Sequence, residues 1–160
     1  MQALISKLQG QFPTLRFKAG QQFSWSPDSG EIIYIDGASG KRATWSLLHE
    51  TGHALLKHQT YRADVELLRL EVDAWERARR LASDLGTEID EDHIQNCLDT
   101  YRDWLDKRSI CPTCTTKCLQ QGDFIHYRCF NCRSVWKVTA NRFGRAYRST
   151  KLAPSKIPAI

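Results

Sequence analysis

The stretch "CPTCTTKCLQQGDFIHYRCFNC", residues 111–132, holds five of the chain's six cysteines. Cys111 and Cys114 are separated by two residues, as are Cys129 and Cys132, and fourteen residues lie between the pairs. No other feature constrains the fold as tightly. Paired C-x-x-C knuckles at this separation bring four thiolates to one tetrahedral zinc ion. The competing redox account expects a catalytic C-x-x-C beside a βαβ unit, and the flanking sequence offers none. Disulfides are the other use of cysteine. The N-terminal "MQALISKLQGQF" lacks the apolar core and flanks of a signal peptide, and no apolar run approaches the roughly 20 residues of a membrane span. A cytoplasmic location away from membranes is therefore expected, where thiols stay reduced and clustered cysteines hold metal.

The segments "FIHYR" and "SVWKV" read as short strands around these knuckles, so residues 109–150 resemble a zinc ribbon with a complete, structural ligand set. Cys118 is left over and could replace Cys114, although the knuckle spacing favours Cys114. Cys97 falls beside Leu98 and Tyr101 on an apolar helix face and reads as a small buried hydrophobe. Charge separates this part from the rest. Residues 109–160 carry nine Lys/Arg against Asp123 alone, whereas residues 1–108 carry fourteen against seventeen Asp/Glu. Arg128, Arg133, Lys137, Arg142, Arg145, Arg148 and Lys151 alternate with Phe130, Trp136, Phe143 and Tyr147. Cations beside exposed aromatics suit phosphate neutralisation and base stacking. Equally, the aromatics could be the ribbon's own small core and the charges its solvated rim. Both readings stand at this point. Residues 151–160, with two prolines and no periodicity, read as a flexible tail.

The N-terminal 108 residues read as an α+β domain. A short helix over residues 2–9 precedes strands at "LRFKAG", "QFSWS" and "EIIYI", the last two joined by the turn "PDSG". Thr44 is the expected N-cap of the next helix. "YRADVELLRLEVDAWERARRLASDL" is a longer helix closed by Gly86, and a third begins near Asp90. No internal repeat is visible.

Within the first long helix, "HETGH" places His49 and His53 four residues apart, on nearly one face. Two imidazoles can thus meet one ion, with Glu50 beside them as the group that takes a proton from water. Two ligands are not enough, so a third is required. His58 turns roughly 140° from His53 if the helix continues, and reads as a solvated surface residue. Asp73 points to solvent, and Asp64 lies on the right face but close to its helix start. Glu71 sits among Ala74, Trp75, Ala78 and Ala82 in the middle of an apolar helix face. A buried carboxylate without a partner costs several kcal/mol, so a cation must meet it there. A buried salt bridge is the alternative to metal ligation.

"HETGHALLKH" followed by "EVDAW" resembles the ImmA/IrrE metallopeptidases, within the gluzincin group. The resemblance spans about residues 12–106 and implies a zincin-like domain with a short mixed or antiparallel sheet, an active-site helix and two further helices. It implies a catalytic zinc on His49, His53 and Glu71, with Glu50 as catalytic base and Ala74 as the small residue after the ligand. It also implies that "EIIYI" is the edge strand along which substrate binds. Tyr61, His126 and Tyr147 remain open as oxyanion donors. The implied activity is zinc-dependent hydrolysis of peptide bonds in a protein substrate such as a transcriptional repressor. The basic ribbon would supply recruitment to DNA or to a DNA-bound protein. The C-terminal ribbon is also similar to that of SprT-like DNA-associated proteases, whose third ligand is a histidine. A non-catalytic nucleic-acid-binding protein is the alternative from another class. The chain is thus expected to hold two zinc ions, one catalytic and one structural.

Overall fold

The computed structural model describes residues 1–139. Arg142, Arg145, Arg148 and Lys151, the aromatics Phe143 and Tyr147, the end of the ribbon at 150 and the tail 151–160 lie outside the described residues. The chain is α+β, with four helices and two small sheets among the described residues. It divides into two compact units, one of residues 1–61 and 68–98, the other of 62–67 and Asp99 onward. The division at 98/99 precedes the change of composition near Ser109, where the last helix ends.

In the first unit, α1 (Gln2–Gln11) turns Ile5 and Leu8 into the core. The strands β1 (Arg16–Gly20), β2 (Ser24–Ser26) and β3 (Glu31–Ile35) form a mixed sheet in the order β1-β3-β2. β3 pairs in parallel with β1, where Phe17 meets Ile32, and antiparallel with β2, where Trp25 meets Ile32. "EIIYI" is therefore the central strand and not the edge that was expected. The tight hairpin closed by Gly30, at φ +64°, sets β2 on one side of it, and the earlier β1 takes the other. Alternation along β3 buries Ile32 and Tyr34 between half-exposed neighbours, as a half-buried strand requires.

α2 (Lys41–Leu55) packs on β3 and β2. Its N-cap is Gly40 at φ +85°, and Thr44 lies a turn inside the helix, its N–H donating to Gly40 O at 3.2 Å. The left-handed backbone available to glycine ends the loop earlier than the threonine signal suggested. α3 (Asp64–Asp84) ends as expected at Gly86, φ +70°. Thr87 N donates to Ala82 O (2.9 Å) and Gly86 N to Ser83 O (3.0 Å), the paired bonds of a Schellman cap. α4 (Glu91–Ser109) starts where Asp90 Oδ1 accepts from Asp92 N at 2.9 Å. Leu47, Leu48, Trp75, Ala78, Leu81, Ile94 and Leu98 join the sheet residues in one core.

The second unit contains β4 (His126–Arg128) and β5 (Val135–Lys137), antiparallel, with Tyr127 opposite Trp136. Their rings stack 5.6 Å apart, and both are buried with Cys111, Cys118, Cys129 and Val138. Asp64 is also committed here. Its carboxylate accepts from Arg108 Nε (2.7 Å) and Nη2 (3.2 Å) and from the Tyr127 hydroxyl (2.7 Å). Arg108 in turn donates to Thr139 O, and Trp136 Nε1 donates to Arg108 O at 2.9 Å. Burial first, then the Asp64 carboxylate, push the Tyr127 phenol well above its usual range, so it stays a donor. No helix among the described residues is long and apolar enough to cross a membrane.

Candidate metal centres

Two clusters of metal-ligating side chains are present among the described residues, one in each unit. In the first, α2 supplies His49 and His53 one turn apart and α3 supplies Glu71. His49 Nε2 lies 3.2 Å from His53 Nε2 and 3.2 Å from Glu71 Oε2, and His53 Nε2 lies 3.7 Å from Glu71 Oε1. Ligand atoms about 2.0–2.1 Å from a tetrahedral zinc stand roughly 3.3–3.4 Å from one another. The spacing fits. Only 8%, 9% and 7% of His49, His53 and Glu71 is exposed, so none of the three is a casual surface contact. Glu71 Oε2 is buried without a hydrogen-bond partner, a costly arrangement that a cation shared with the two Nε2 atoms would relieve; His49 Nδ1, on the far side of its ring, is also buried without one. Burial alone would raise the Glu71 carboxyl, but the two imidazoles outweigh it and hold it well below the usual carboxylate range.

The approach of the two helices depends on two small residues. A Cβ placed on Gly52 would stand 2.5 Å from the carbonyl oxygen of Ala74. Gly52 lies inside "HETGH" and Ala74 three residues after Glu71, so the contact sets the reach of the carboxylate to the rings. The sequence marked Ala74 but not its partner. Trp75 then lies against the site, its ring stacked 4.1 Å from that of His49.

Glu50 is half-buried, and its Oε2 accepts from the backbone N–H of Trp25 on the edge strand β2 at 2.7 Å. His58 is not one of the clustered ligands. It is not the solvated surface residue expected either. α2 stops at Leu55, and the chain folds back so that His58 Nδ1 lies 2.9 Å from His53 Nδ1. Burial, then the neighbouring His53, lower the His58 pKa and favour the neutral ring. Of the candidate oxyanion donors, Tyr61 is half-buried at the end of a first-unit segment. His126 belongs to the second unit, its Nδ1 2.6 Å from Asp123 Oδ2, and Tyr147 lies outside the described residues.

In the second cluster Cys111, Cys114, Cys129 and Cys132 place their sulfurs within 4.8 Å of one another. Cys111 and Cys132 are 3.5 Å apart, as are Cys114 and Cys129, and all four are free thiols. Thiolates about 2.3 Å from a tetrahedral zinc stand roughly 3.8 Å apart, so this set also fits. The two C-x-x-C knuckles that build it also match in backbone conformation. Cys111 N donates to Thr116 O and Cys129 N to Ser134 O, while Thr115 and Arg133 take φ +60° and +63°. The Thr116 hydroxyl lies 3.2 Å from Cys114 Sγ and the Ser134 hydroxyl 3.2 Å from Cys132 Sγ. Thr116 draws the Cys114 thiol down to about 5 and Ser134 likewise lowers Cys132, which favours the thiolate a metal needs, whereas burial raises the Cys111 and Cys129 thiols. Cys118 is buried outside the set, its thiol donating to Thr116 O.

Arg128, Arg133 and Lys137 are exposed, and Phe130 is 78% exposed at the tip of the second knuckle. Trp136 is fully buried and belongs to the ribbon's core, so of the two interleaved aromatics among the described residues Phe130 is the one offered to a partner.

The fold and its sites thus define an α+β protein with two candidate metal-ligand groups, one of four cysteines and one of two histidines and a glutamate. Comparison with family models, curated proteins and solved structures gave no match.

Proposed function

We propose that the first unit is a zinc-dependent peptidase of the ImmA/IrrE-like, gluzincin kind, and that the cysteine module is a structural zinc ribbon. The observation that carries the reading is the Glu71 carboxylate, buried and 3.2 and 3.7 Å from the Nε2 atoms of His49 and His53. A salt bridge to protonated histidines is the competing account. Placing two protonated imidazoles with Nε2 atoms 3.2 Å apart sets like charges against each other, which a single shared cation avoids. A glutamate in third place also separates the chain from the SprT-like pattern.

A zinc ion on these ligands lowers the pKa of water towards about 7 and polarises a peptide carbonyl. The chain's residues do the rest. Trp25 N–H anchors Glu50 through Oε2, so Oε1 is the oxygen that takes the proton of the attacking water and returns it to the departing amine. β2, an edge strand, lies beside that carboxylate, and an extended protein substrate added to its free side would reach Glu50.

Glu50→Gln tests the assignment. It should abolish hydrolysis of unfolded protein substrates while the protein retains about two zinc ions per chain, one for each ligand set. Hydrolysis by neither form, or a single zinc held only by cysteines, would leave the chain a binding protein, and equal hydrolysis by both would remove Glu50 as the base.

For the ribbon, exposed Phe130 beside Arg128 and Arg133 supports nucleic-acid contact as the means of bringing the peptidase to DNA or to a DNA-bound regulator. DNA binding should weaken steeply between low and physiological salt; a flat response refutes phosphate contact.

A further inference from the structure

α2 ends just past its second candidate ligand, and the form of that ending has a consequence for the ligand. Lys57 N donates to Ala54 O at 3.1 Å and His58 N to His53 O at 3.1 Å, with Lys57 at φ +54°. These are the two bonds of a Schellman cap, which folds the residue after the left-handed position back over the residue five before it. That pair usually makes an apolar contact. Here both members are histidines, with ring centroids 4.9 Å apart at 76° and Nδ1 atoms 2.9 Å apart.

The bond has one direction once His53 Nε2 ligates an ion shared with His49 and Glu71. An imidazole offering Nε2 to an ion carries its proton on Nδ1, so His53 Nδ1–H donates and His58 Nδ1 accepts. The proton of His58 then sits on Nε2. The segment is held from a second direction by Trp25, whose indole Nε1 donates to His58 O at 2.8 Å. Since the backbone N–H of the same residue anchors Glu50, Trp25 ties the proton acceptor and the His58 segment to one strand. A lysine in the left-handed region costs about 1 kcal/mol or more relative to relaxed backbone, and the cap survives with that cost.

We propose that His58 is a positioning residue for the metal centre of His49, His53 and Glu71, fixing the tautomer and ring plane of His53 by accepting its Nδ1–H without touching the ion. The proposal rests on the metal-site reading above. His58 is half-buried at a helix cap, so its ring can be changed without opening the core.

The full chain, with zinc kept on its cysteines and the other site stripped, is titrated with Co²⁺ against a competing chelator. The visible absorption of Co²⁺ reports the ligand set. His58→Ala should weaken Co²⁺ binding about 10- to 100-fold, the usual effect of removing an outer hydrogen-bond acceptor. His58→Asn puts Oδ1 where Nδ1 was, one bond from Cγ, and should keep the affinity within about threefold of the parent protein, with the same spectrum. Parent-like affinity for His58→Ala overturns the proposal. So does a loss in His58→Asn equal to that in His58→Ala, which would make the ring's packing responsible instead of its acceptor. Failure of the parent protein itself to bind Co²⁺ there overturns the metal-site reading, and the two failures are thereby distinguished.

Discussion

Gly52→Ala sets two effects of opposite sign against each other. In an exposed helix interior, replacing glycine by alanine stabilises by about 0.8–1 kcal/mol because the unfolded chain loses freedom. At this position the new methyl would stand 2.5 Å from Ala74 O, 3.3 Å from its carbonyl carbon and 3.4 Å from its Cα. All three are backbone atoms and cannot rotate away, so α3 must retreat from α2 by about 1 Å to reach ordinary contact, at an overpacking cost of about 1–3 kcal/mol. The clash wins, leaving a net loss of about 0–2 kcal/mol. The larger effect falls on the metal. Glu71 is one helical turn before Ala74, so the same retreat carries its carboxylate from the imidazoles. Ligand distances tolerate only about 0.2 Å, and affinity at the histidine–glutamate site should fall at least about tenfold. Urea unfolding gives the stability, and Co²⁺ titration with the cysteines left on zinc gives the affinity. A variant that is about 1 kcal/mol more stable and binds the ion undiminished would refute the close approach of the two helices.

Three further outcomes follow from other parts of the chain. Asp64→Ala leaves Arg108 buried without its carboxylate and should destabilise the second unit by about 3–5 kcal/mol, whereas Tyr127→Phe, which leaves both arginine bonds intact, should cost about 1 kcal/mol. Release of cysteine-bound zinc to a chromogenic chelator during urea unfolding would measure both, and equal losses would contradict the central place given to Asp64. Lys57→Gly relieves about 1–2 kcal/mol of left-handed backbone cost and forfeits about 0.4–1 kcal/mol to unfolded-state entropy, so a small net stabilisation is expected in urea; a loss would argue against the cap. Cys129→Ser should abolish zinc binding by the ribbon while the histidine–glutamate site keeps its affinity in the same Co²⁺ titration.

Much of the candidate chemistry was legible because periodicity and spacing are local properties. His49 and His53 share a face through the 3.6-residue turn, and the burial of Glu71 followed from the apolar residues around it on its own helix. Gly86 announced its Schellman cap because glycine is the expected residue in left-handed backbone. Lys57 adopts the same conformation without that signature, so nothing local marks the fold-back that brings His58 to His53. On its own helix Asp64 reads only as a candidate ligand close to the helix start. Its partners Arg108 and Tyr127 lie 44 and 63 residues away, beyond any local pattern.

By itself the sequence determined which atoms could hold a metal: two imidazoles one helical turn apart, a carboxylate on an apolar face and two cysteine knuckles. Only the tertiary structure decided that β3 is central, that Gly52 lets Ala74 come close enough to bring Glu71 to the rings, and that His58 stands behind His53. Turn periodicity and knuckle spacing are written along the chain, whereas strand order, helix separation and a left-handed lysine are set by which surfaces pack, and packing joins residues that no spacing rule connects.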